Sequence, residues 1–376
     1  MHRKRVTPAL MLAFAAASSP MTLSAGEWEK IGSADALLRK LGVWDAPAWN
    51  RRAGGVWVDP NTGHVYLDVA AKPIHRSTDQ GKTWTQWGPD WLTGKLNRST
   101  ALGIDHPYRG RMLLYGKHGA SGLTLDNGKT WKRLPSNLVH GDTNWAADVP
   151  TVIVAHGDHG KYSATVDGGK TWHRNGTVGR YKGIGYACLG LVDEKTMVVA
   201  KGLVRIKWGQ PRKPESGIYT TTNLIGPWDY EKDFKKISDL TPLGSNPHHW
   251  GKRMYWAAVE GVITSENGKD WKVHGTPIRN ARYLVFGRTE KDMLVMNDKG
   301  CHVSADGAKT WKEVAPAFTI ADGAFKADPK DLGDGSLSIG WDPINGMIYA
   351  SPLNGSLYRA TYGAASHADP PIPGKD

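Results

Sequence analysis

The sequence predicts an all-β protein, a seven-bladed β-propeller whose blades are four-stranded antiparallel sheets. Three observations lead to this fold: one eight-residue motif recurs along the chain, its copies are spaced at the length of one blade, and short β-rich runs precede each copy. Self-similarity with a period of roughly 40 to 50 residues is typical of propellers.

The repeated unit, called the eight-residue motif below, reads Ser or Thr, any residue, Asp, any, Gly, any, Thr, Trp. It predicts a tight hairpin turn in which the Asp accepts backbone N–H groups, the Gly takes a positive φ and the Trp packs against the blade. We therefore assign these Asp residues no catalytic role. Intact copies span Ser77–Trp84, Thr124–Trp131 and Thr165–Trp172, and weaker copies span Thr221–Trp228, Thr264–Trp271 and Ser304–Trp311.

The spacing of the motif matches one blade per copy. Copies start at residues 77, 124, 165, 221, 264 and 304, in steps of between 40 and 56 residues. In the first unit, β-rich runs at Val56–Asp59, His64–Asp68 and Ile74–Arg76 precede the motif, and another run follows Trp84. Each unit therefore predicts four strands.

The seventh unit lacks the motif and shares its sheet with the N-terminus. Trp341–Tyr349 repeats the pattern of Trp57–Tyr66 with one residue fewer, and Leu357–Ala360 repeats Ile74–Ser77. Glu27–Ile31 resembles the strand that follows the motif in other units. We expect it to complete the seventh blade and close the ring, because closure removes exposed sheet edges.

The two ends of the chain are predicted to lie outside the propeller. Residues 1–25 combine a basic start, the apolar stretch Pro8–Ala17 and the small residue Ala25, which is typical of a cleaved signal peptide. The propeller is expected over residues 26–364 and a flexible tail over 365–376. We expect a periplasmic or secreted monomer with no membrane insertion.

Only two cysteines are present, so the chain is not a disulfide scaffold. We expect Cys188 and Cys301 to be small buried residues. The 48 Lys and Arg exceed the 36 Asp and Glu, and loss of residues 1–25 lowers the net charge from +12 to +9. This excess favours acidic partners. Nucleic acid is not expected among them, because an exported protein seldom meets it and no recognised binding module is present.

The eight-residue motif resembles the Asp-box, or BNR repeat, of the sialidase superfamily. That superfamily includes sialidases, sortilin-type receptors, xyloglucanases, photosystem II assembly factors and propeller-type ulvan lyases. The resemblance implies the fold and leaves the activity open. It does not extend to true sialidases, which have six blades and an Arg-Ile-Pro segment, or to the longer tandem propellers of xyloglucanases.

The face opposite the motif turns is the expected working surface. The connections there, in which we expect Asp142 and the pair His248 and His249, are rich in His, Arg, Lys and Trp, which suits a carboxylated or sulfated sugar chain. A hydrolase needs two facing carboxylates, whereas Asp142, Asp158 and Glu260 are scattered over different blades. Elimination from a uronate instead needs a cation, a base and an acid. We favour a polysaccharide lyase, with a sialidase-superfamily glycosidase and a non-catalytic glycan-binding or assembly propeller as alternatives.

Resemblance to the ulvan lyases implies His118 as base or acid, Tyr181 as its partner and Arg205 or Arg98 as the carboxylate clamp, with Tyr186 as a substitute for Tyr181. The predicted catalytic residues are His118, Tyr181 and His159. The predicted substrate-binding residues are Arg98, Lys117, Trp145, Arg205, Trp208, His248 and Arg282.

Two further features of the face leave alternatives open. His156, Asp158 and His159 could hold calcium or zinc, but no helix sets their spacing, so we assign no metal ligand and no cofactor. Four tryptophans outside the motif are candidate platforms for sugar rings: Trp49, Trp91, Trp145 and Trp208.

Overall fold

The structure is a computed structural model. It describes residues 26–363 apart from 48–50, 94, 97–109, 115, 118–119, 137, 146, 158–160, 178–188, 202–215, 229, 244–245 and 324–336. Seven small four-stranded antiparallel sheets form a ring, which confirms the predicted seven-bladed β-propeller. Both predicted terminal segments, residues 1–25 and 365–376, lie outside the described residues.

The blades follow one another along the chain. The first contains β2 (Ala53–Val58), β3 (Val65–Val69), β4 (Ile74–Ser77) and β5 (Thr85–Trp87). The second contains β6 (Lys95–Leu96), β7 (Met112–Leu114) continued by β8 (Gly116–Lys117), β9 (Ala120–Thr124) and β10 (Lys132–Ser136). The third contains β11 (Leu138–Thr143), β12 (Ile153–Gly157), β13 (Lys161–Thr165) and β14 (His173–Thr177).

The remaining blades keep the same order. The fourth contains β15 (Leu189–Leu191), β16 (Met197–Lys201), β17 (Gly217–Thr221) and β18 (Lys235–Ser238), with the short helix α2 (Tyr230–Asp233) before the last strand. The fifth contains β19 (His248–Trp250), β20 (Arg253–Ala258), β21 (Gly261–Ser265) and β22 (Lys272–Val273). The sixth contains β23 (Tyr283–Phe286), β24 (Met293–Met296), β25 (Gly300–Ser304) and β26 (Lys312–Pro316). The seventh contains β27 (Leu337–Asp342), β28 (Met347–Pro352), β29 (Tyr358–Thr361) and the N-terminal strand β1 (Trp28–Lys30).

Strand β1 closes the ring, as predicted. It runs antiparallel to β29, with Trp28 opposite Ala360. The indole Nε1 of Trp28 also donates a hydrogen bond of 2.9 Å to the carbonyl of Pro316 in the sixth blade. A helix that the sequence reading missed, α1 (Gly32–Lys40), follows β1 and buries Ala34 and Leu38 on its inner side.

Antiparallel pairing divides the loops between two faces. The hairpins joining first to second strands and third to fourth strands lie on one face, called the motif face. The hairpins joining second to third strands and the connections between blades lie on the other, called the connection face. The first strand of each blade lines the central channel.

The turn predicted for the eight-residue motif is confirmed in the first blade. The carboxylate of Asp79 accepts the N–H of Thr83 at 2.9 Å and its hydroxyl at 2.6 Å. Ser77 Oγ donates to Asp79 at 2.7 Å and accepts the N–H of Gly81 at 2.7 Å, and Gly81 has a φ of 86°. The Thr83 hydroxyl and N–H lower the pKa of Asp79 to about 2, because they stabilise the ionised form.

Weaker copies keep the turn with altered residues. In the fifth blade the acceptor is Asn267, whose Oδ1 accepts the N–H groups of Lys269 and Asp270 at 2.9 and 2.8 Å. Glu266, which holds the Asp position of the motif by sequence, instead forms an ion pair of 3.0 Å with Arg253. The turn is therefore shifted by one residue in this blade.

The motif turn also joins each blade to the one before it. Ser33, which follows the last strand of the seventh blade, donates from its Oγ to the carbonyl of Gly81. In the sixth blade the carbonyl of Ala308 accepts the N–H of Thr276, at the end of the fifth blade, at 2.7 Å. Gly128 packs directly against Trp87 of the first blade. These turns are therefore joints between blades.

The hydrophobic core consists of layers between neighbouring blades. Trp57, Tyr66 and Trp87 of the first blade pack with Met112 and Leu114 of the second. The rings of Trp57 and Tyr66 are stacked with centroids 5.1 Å apart. Cys301 also belongs to the core. It is buried as expected, and burial raises its pKa, whereas Cys188 lies outside the described residues.

We predict that Gly128→Ala destabilises the protein by about 3 kcal/mol, because its backbone is left-handed and the new methyl group would meet a rigid ring. Gly128 has a φ of 79°, and an added Cβ would lie 2.2 Å from Cζ2 of Trp87. The control is Gly251→Ala, where φ is 61° and no atom lies within 4 Å. That variant should lose only about 1 kcal/mol in urea unfolding. Equal losses of stability in the two variants would contradict the role of Gly128 in the joint between the first and second blades.

We predict that the motif carboxylates stabilise the fold and that this contribution is lost only in strong acid. The pKa of Asp79, Asp126 and Asp306 is lowered to about 2 from 3.8. Their contribution is complete above the unfolded value and is lost as the pH falls through about 2. Replacing all three by Asn, the residue used at positions 223 and 267, should flatten the dependence of Tm on pH between these limits. An unchanged slope in the triple variant would refute this.

Candidate functional site on the connection face

Most of the predicted site residues lie outside the described part of the chain. These are the three predicted catalytic residues and three of the substrate-binding residues, namely His118, Tyr181, His159, Arg98, Arg205 and Trp208. Tyr186, Trp49 and Asp158 also lie outside it. Lys117 ends β8 beside β6 at the channel, and only its backbone is described.

Trp145 does not offer a platform for a sugar ring. It lies in the hairpin between β11 and β12, on the motif face, and is only 4% exposed. Its Nε1 donates a hydrogen bond of 2.7 Å to Asp142 Oδ1. The expectation of an accessible Trp145 on the working surface is therefore wrong, because the indole fills the space between blades.

His248 lies on strand β19 and not in a connection between blades. Its ring is half-buried, with its centroid 5.8 Å from that of Phe286. Burial, followed by the neighbouring His249, lowers the pKa of His248 to about 4. The imidazole is thus neutral near pH 7 and would contact a substrate without adding positive charge. Arg282, by contrast, lies on the connection face just before β23 and is half-buried.

A buried carboxylate joins three blades at the channel. Oδ2 of Asp142 accepts hydrogen bonds of 2.7 Å from both the N–H of Leu191 and Nε2 of His249. Oδ1 accepts the N–H of Thr143 at 2.9 Å, besides the indole of Trp145. Asp142 belongs to the third blade, Leu191 to the fourth and His249 to the fifth.

Sequence reasoning placed Asp142 and His249 in the connections between blades. The structure instead puts both on strands that line the channel, Asp142 on β11 and His249 on β19. Each oxygen of the Asp142 carboxylate has two donors, so it is committed to holding blades together. Nothing in the local sequence signals this contact, because the two residues are 107 positions apart.

Two other carboxylates of the connection face, those of Glu260 and Asp322, are also engaged. Glu260 Oε2 accepts the N–H of Thr241 at 2.9 Å. Asp322 accepts Arg52 Nη1 at 2.8 Å, the N–H of Ser356 at 2.8 Å and the hydroxyl of Tyr358 at 3.0 Å. Burial opposes ionisation of Asp322, yet these donors hold its pKa below the usual value.

Cations of this face keep donors that no described residue uses. Their side chains form neither an ion pair nor a hydrogen bond within the described ranges, except that Arg51 Nε donates to the carbonyl of Trp44 at 3.3 Å. Arg39, Lys40, Arg279 and Lys299 are exposed, and Arg51 and Lys72 are half-buried. The face is therefore positively charged and open to anions.

No metal site emerges within the described ranges, since no group of three His, Cys, Asp or Glu there could hold an ion. The alternative at His156, Asp158 and His159 lies outside the described side chains. Neither described helix is long and apolar enough to span a membrane.

No family model and no curated protein matches the sequence. Solved structures with a similar arrangement include YCF48 bound to D1 peptide, at 14% identity over 84% of this chain and 96% of that chain, with a TM-score of 0.41. The GH74 enzyme of Niastella koreensis is 18% identical over 84% of this chain and 53% of its own, with a TM-score of 0.46. YCF48 from Cyanidioschyzon merolae is 12% identical over 90% of this chain and 99% of that chain, with a TM-score of 0.40. None of these likenesses assigns an activity to the chain.

We predict that Asp142→Asn destabilises the protein by about 2 to 4 kcal/mol, because it leaves buried donors of three blades without an anionic acceptor. Asp45→Asn is the control, since Asp45 is exposed and lies outside the core. Urea unfolding of both variants measures the difference. Equal midpoints would show that the Asp142 contacts do not hold the blades together.

Proposed function

We propose that this protein is an exported propeller that binds an acidic polysaccharide across its connection face and cleaves it by β-elimination. The observation that supports this most directly is the imbalance of free charge on that face. Arg39, Arg51, Lys72, Arg279 and Lys299 keep unused donors. Export rests on the signal peptide expected in residues 1–25.

Carboxylates and sulfates suit such a surface better than neutral sugars. A guanidinium forms two parallel hydrogen bonds with either anion, and an ammonium group adds a point charge. Repeated anionic groups along one chain would contact several of these cations at once, which multiplies the attraction. A long polyanion is therefore the favoured ligand.

Elimination needs groups that the sequence predicts on this face. A cation neutralises the uronate carboxylate and makes the proton on C5 more acidic, a base removes that proton, and an acid protonates the leaving oxygen. We assign His118 and Tyr181 to the proton transfers, with His159 as a third catalytic candidate, and Arg205 or Arg98 to the carboxylate. These roles come from residue type and chain order, by resemblance to ulvan lyases.

Hydrolysis is disfavoured by the state of the carboxylates. A glycosidase normally uses two carboxyl groups that face one glycosidic bond. Of the three acids considered from the sequence, Asp142 has four donors and Glu260 binds the N–H of Thr241. Asp142 is therefore not available as a nucleophile or as a base in this conformation, so it cannot supply the second carboxyl group that Glu260 would need.

We predict that the protein generates unsaturated uronate from at least one uronate polymer, seen as rising absorbance near about 235 nm. His118→Ala should reduce the rate at least about 100-fold, because it removes the proposed proton-transfer group. The control His64→Ala changes a histidine beside a hairpin of the motif face. It should turn over normally.

The products separate the alternatives. New reducing ends without a rise in absorbance would replace elimination by hydrolysis. Retardation of the protein in polysaccharide affinity gels without any cleavage would make it a glycan-binding propeller. Failure to bind any acidic polysaccharide would overturn the proposal and direct attention to a protein partner.

A further inference from the structure

Three cations surround one tryptophan at the seam between the seventh and first blades. The guanidinium carbons of Arg39 and Arg52 lie 3.9 and 4.1 Å from the centroid of the Trp44 ring, and Lys30 Nζ lies 5.3 Å from it. Trp44 follows helix α1, which leads from the ring-closing strand to the first blade. We call these residues, together with Arg51, the Trp44 cluster.

The backbone directs two of these arginines. The carbonyl of Trp44 accepts Nε of Arg51 at 3.3 Å and Nε of Arg52 at 3.4 Å, so their terminal amino groups point beyond it. Arg52 has a φ of 53°, a conformation that non-glycine residues seldom adopt. Its N–H donates to the carbonyl of Val43 at 2.8 Å, which holds this conformation. Such strain often accompanies a functional constraint.

Two cations of the cluster form ion pairs with carboxylates, and the other two pair with no described carboxylate. Asp322 pairs with Arg52 at 2.8 Å, and Asp35 pairs with Lys30 at 2.9 Å. Arg39 has no hydrogen bond or ion pair with any described residue, and Arg51 uses only its Nε. Arg39 and Arg51 therefore keep donors for an anionic ligand.

The cluster is compact. Arg39 lies in the last turn of helix α1 and Arg52 directly precedes β2, yet their guanidinium carbons lie only 3.9 and 4.1 Å from the centroid of the Trp44 ring. Since two guanidinium groups already lie over the Trp44 ring, the tryptophan orients cations and does not itself stack on a sugar.

We infer that the seam between the seventh and first blades is an anion subsite, in which Arg39 and Arg51 bind carboxylate or sulfate groups of one acidic glycan chain. The inference rests on the proposed function and deepens it, because it names the two arginines that hold the acidic groups.

The test compares chain lengths. Binding of oligogalacturonates of two and of six residues is measured by calorimetry at low ionic strength, for the wild type and for Arg39→Ala/Arg51→Ala. Because each lost guanidinium removes charge-assisted hydrogen bonds, the double variant should bind the longer chain at least about tenfold more weakly. The shorter chain should be weakened by a similar factor, because both arginines contact Trp44 and therefore lie close together.

The control removes the same charge elsewhere. Lys252→Ala/Lys269→Ala changes two exposed lysines of the motif face. It should bind both oligosaccharides as the wild type does. Arg39→Lys/Arg51→Lys keeps the charge but not the paired donors, and should recover only part of the lost affinity.

Two outcomes overturn the inference separately from the proposed function. Equal binding of the longer chain by the wild type and the arginine double variant would remove the seam subsite while leaving the proposed function intact. Equally tight binding of an oligonucleotide with the same number of charges, lost in the same variant, would show a general polyanion site. Failure of the wild type to bind either oligosaccharide overturns both.

Discussion

The strands that line the channel depend on hydrogen bonds from neighbouring blades. Each first strand pairs with a second strand on one side only, and its remaining N–H groups need partners. Asp142 supplies one for Leu191 of the next blade at 2.7 Å, and Ser338 Oγ both accepts the N–H of Val56 at 3.1 Å and donates to its carbonyl at 2.8 Å. Polar side chains at the channel are therefore structural in the first place. The ring holds together at its centre through these contacts and at its periphery through the motif turns.

This use of polar groups shapes what the connection face can do. Acceptors are consumed by the fold, because backbone N–H groups are satisfied by Asp142, Glu260 and Asp322. Guanidinium and ammonium groups are poor at this task, since they only donate and the carbonyls are largely paired within sheets. Cations are left over on the surface as a result. The same constraint that stabilises the ring thus gives the face its affinity for anions.

The seam between the seventh and first blades combines both roles. It is the place where a strand from the N-terminus completes a sheet begun near the C-terminus, through the pairing of Trp28 with Ala360. The chain must then travel from the rim to the channel, and it does so through helix α1 and the arginines that follow. Ring closure and the Trp44 cluster therefore both depend on this one connection. A propeller closed at another point would place these cations differently.

The sequence by itself determined the number of blades, the turn in the intact motifs and the closing strand, because these depend on short patterns read within one blade. It missed helix α1, misplaced Asp142 and His249, and took Trp145 for an exposed platform. These errors share a cause, because contacts with a neighbouring blade set the position of each of these residues. Asp142, for example, accepts a hydrogen bond from a histidine 107 positions away. Only the tertiary structure decided which carboxylates are bound internally and which arginines remain free, because both outcomes depend on contacts between segments that are distant along the chain.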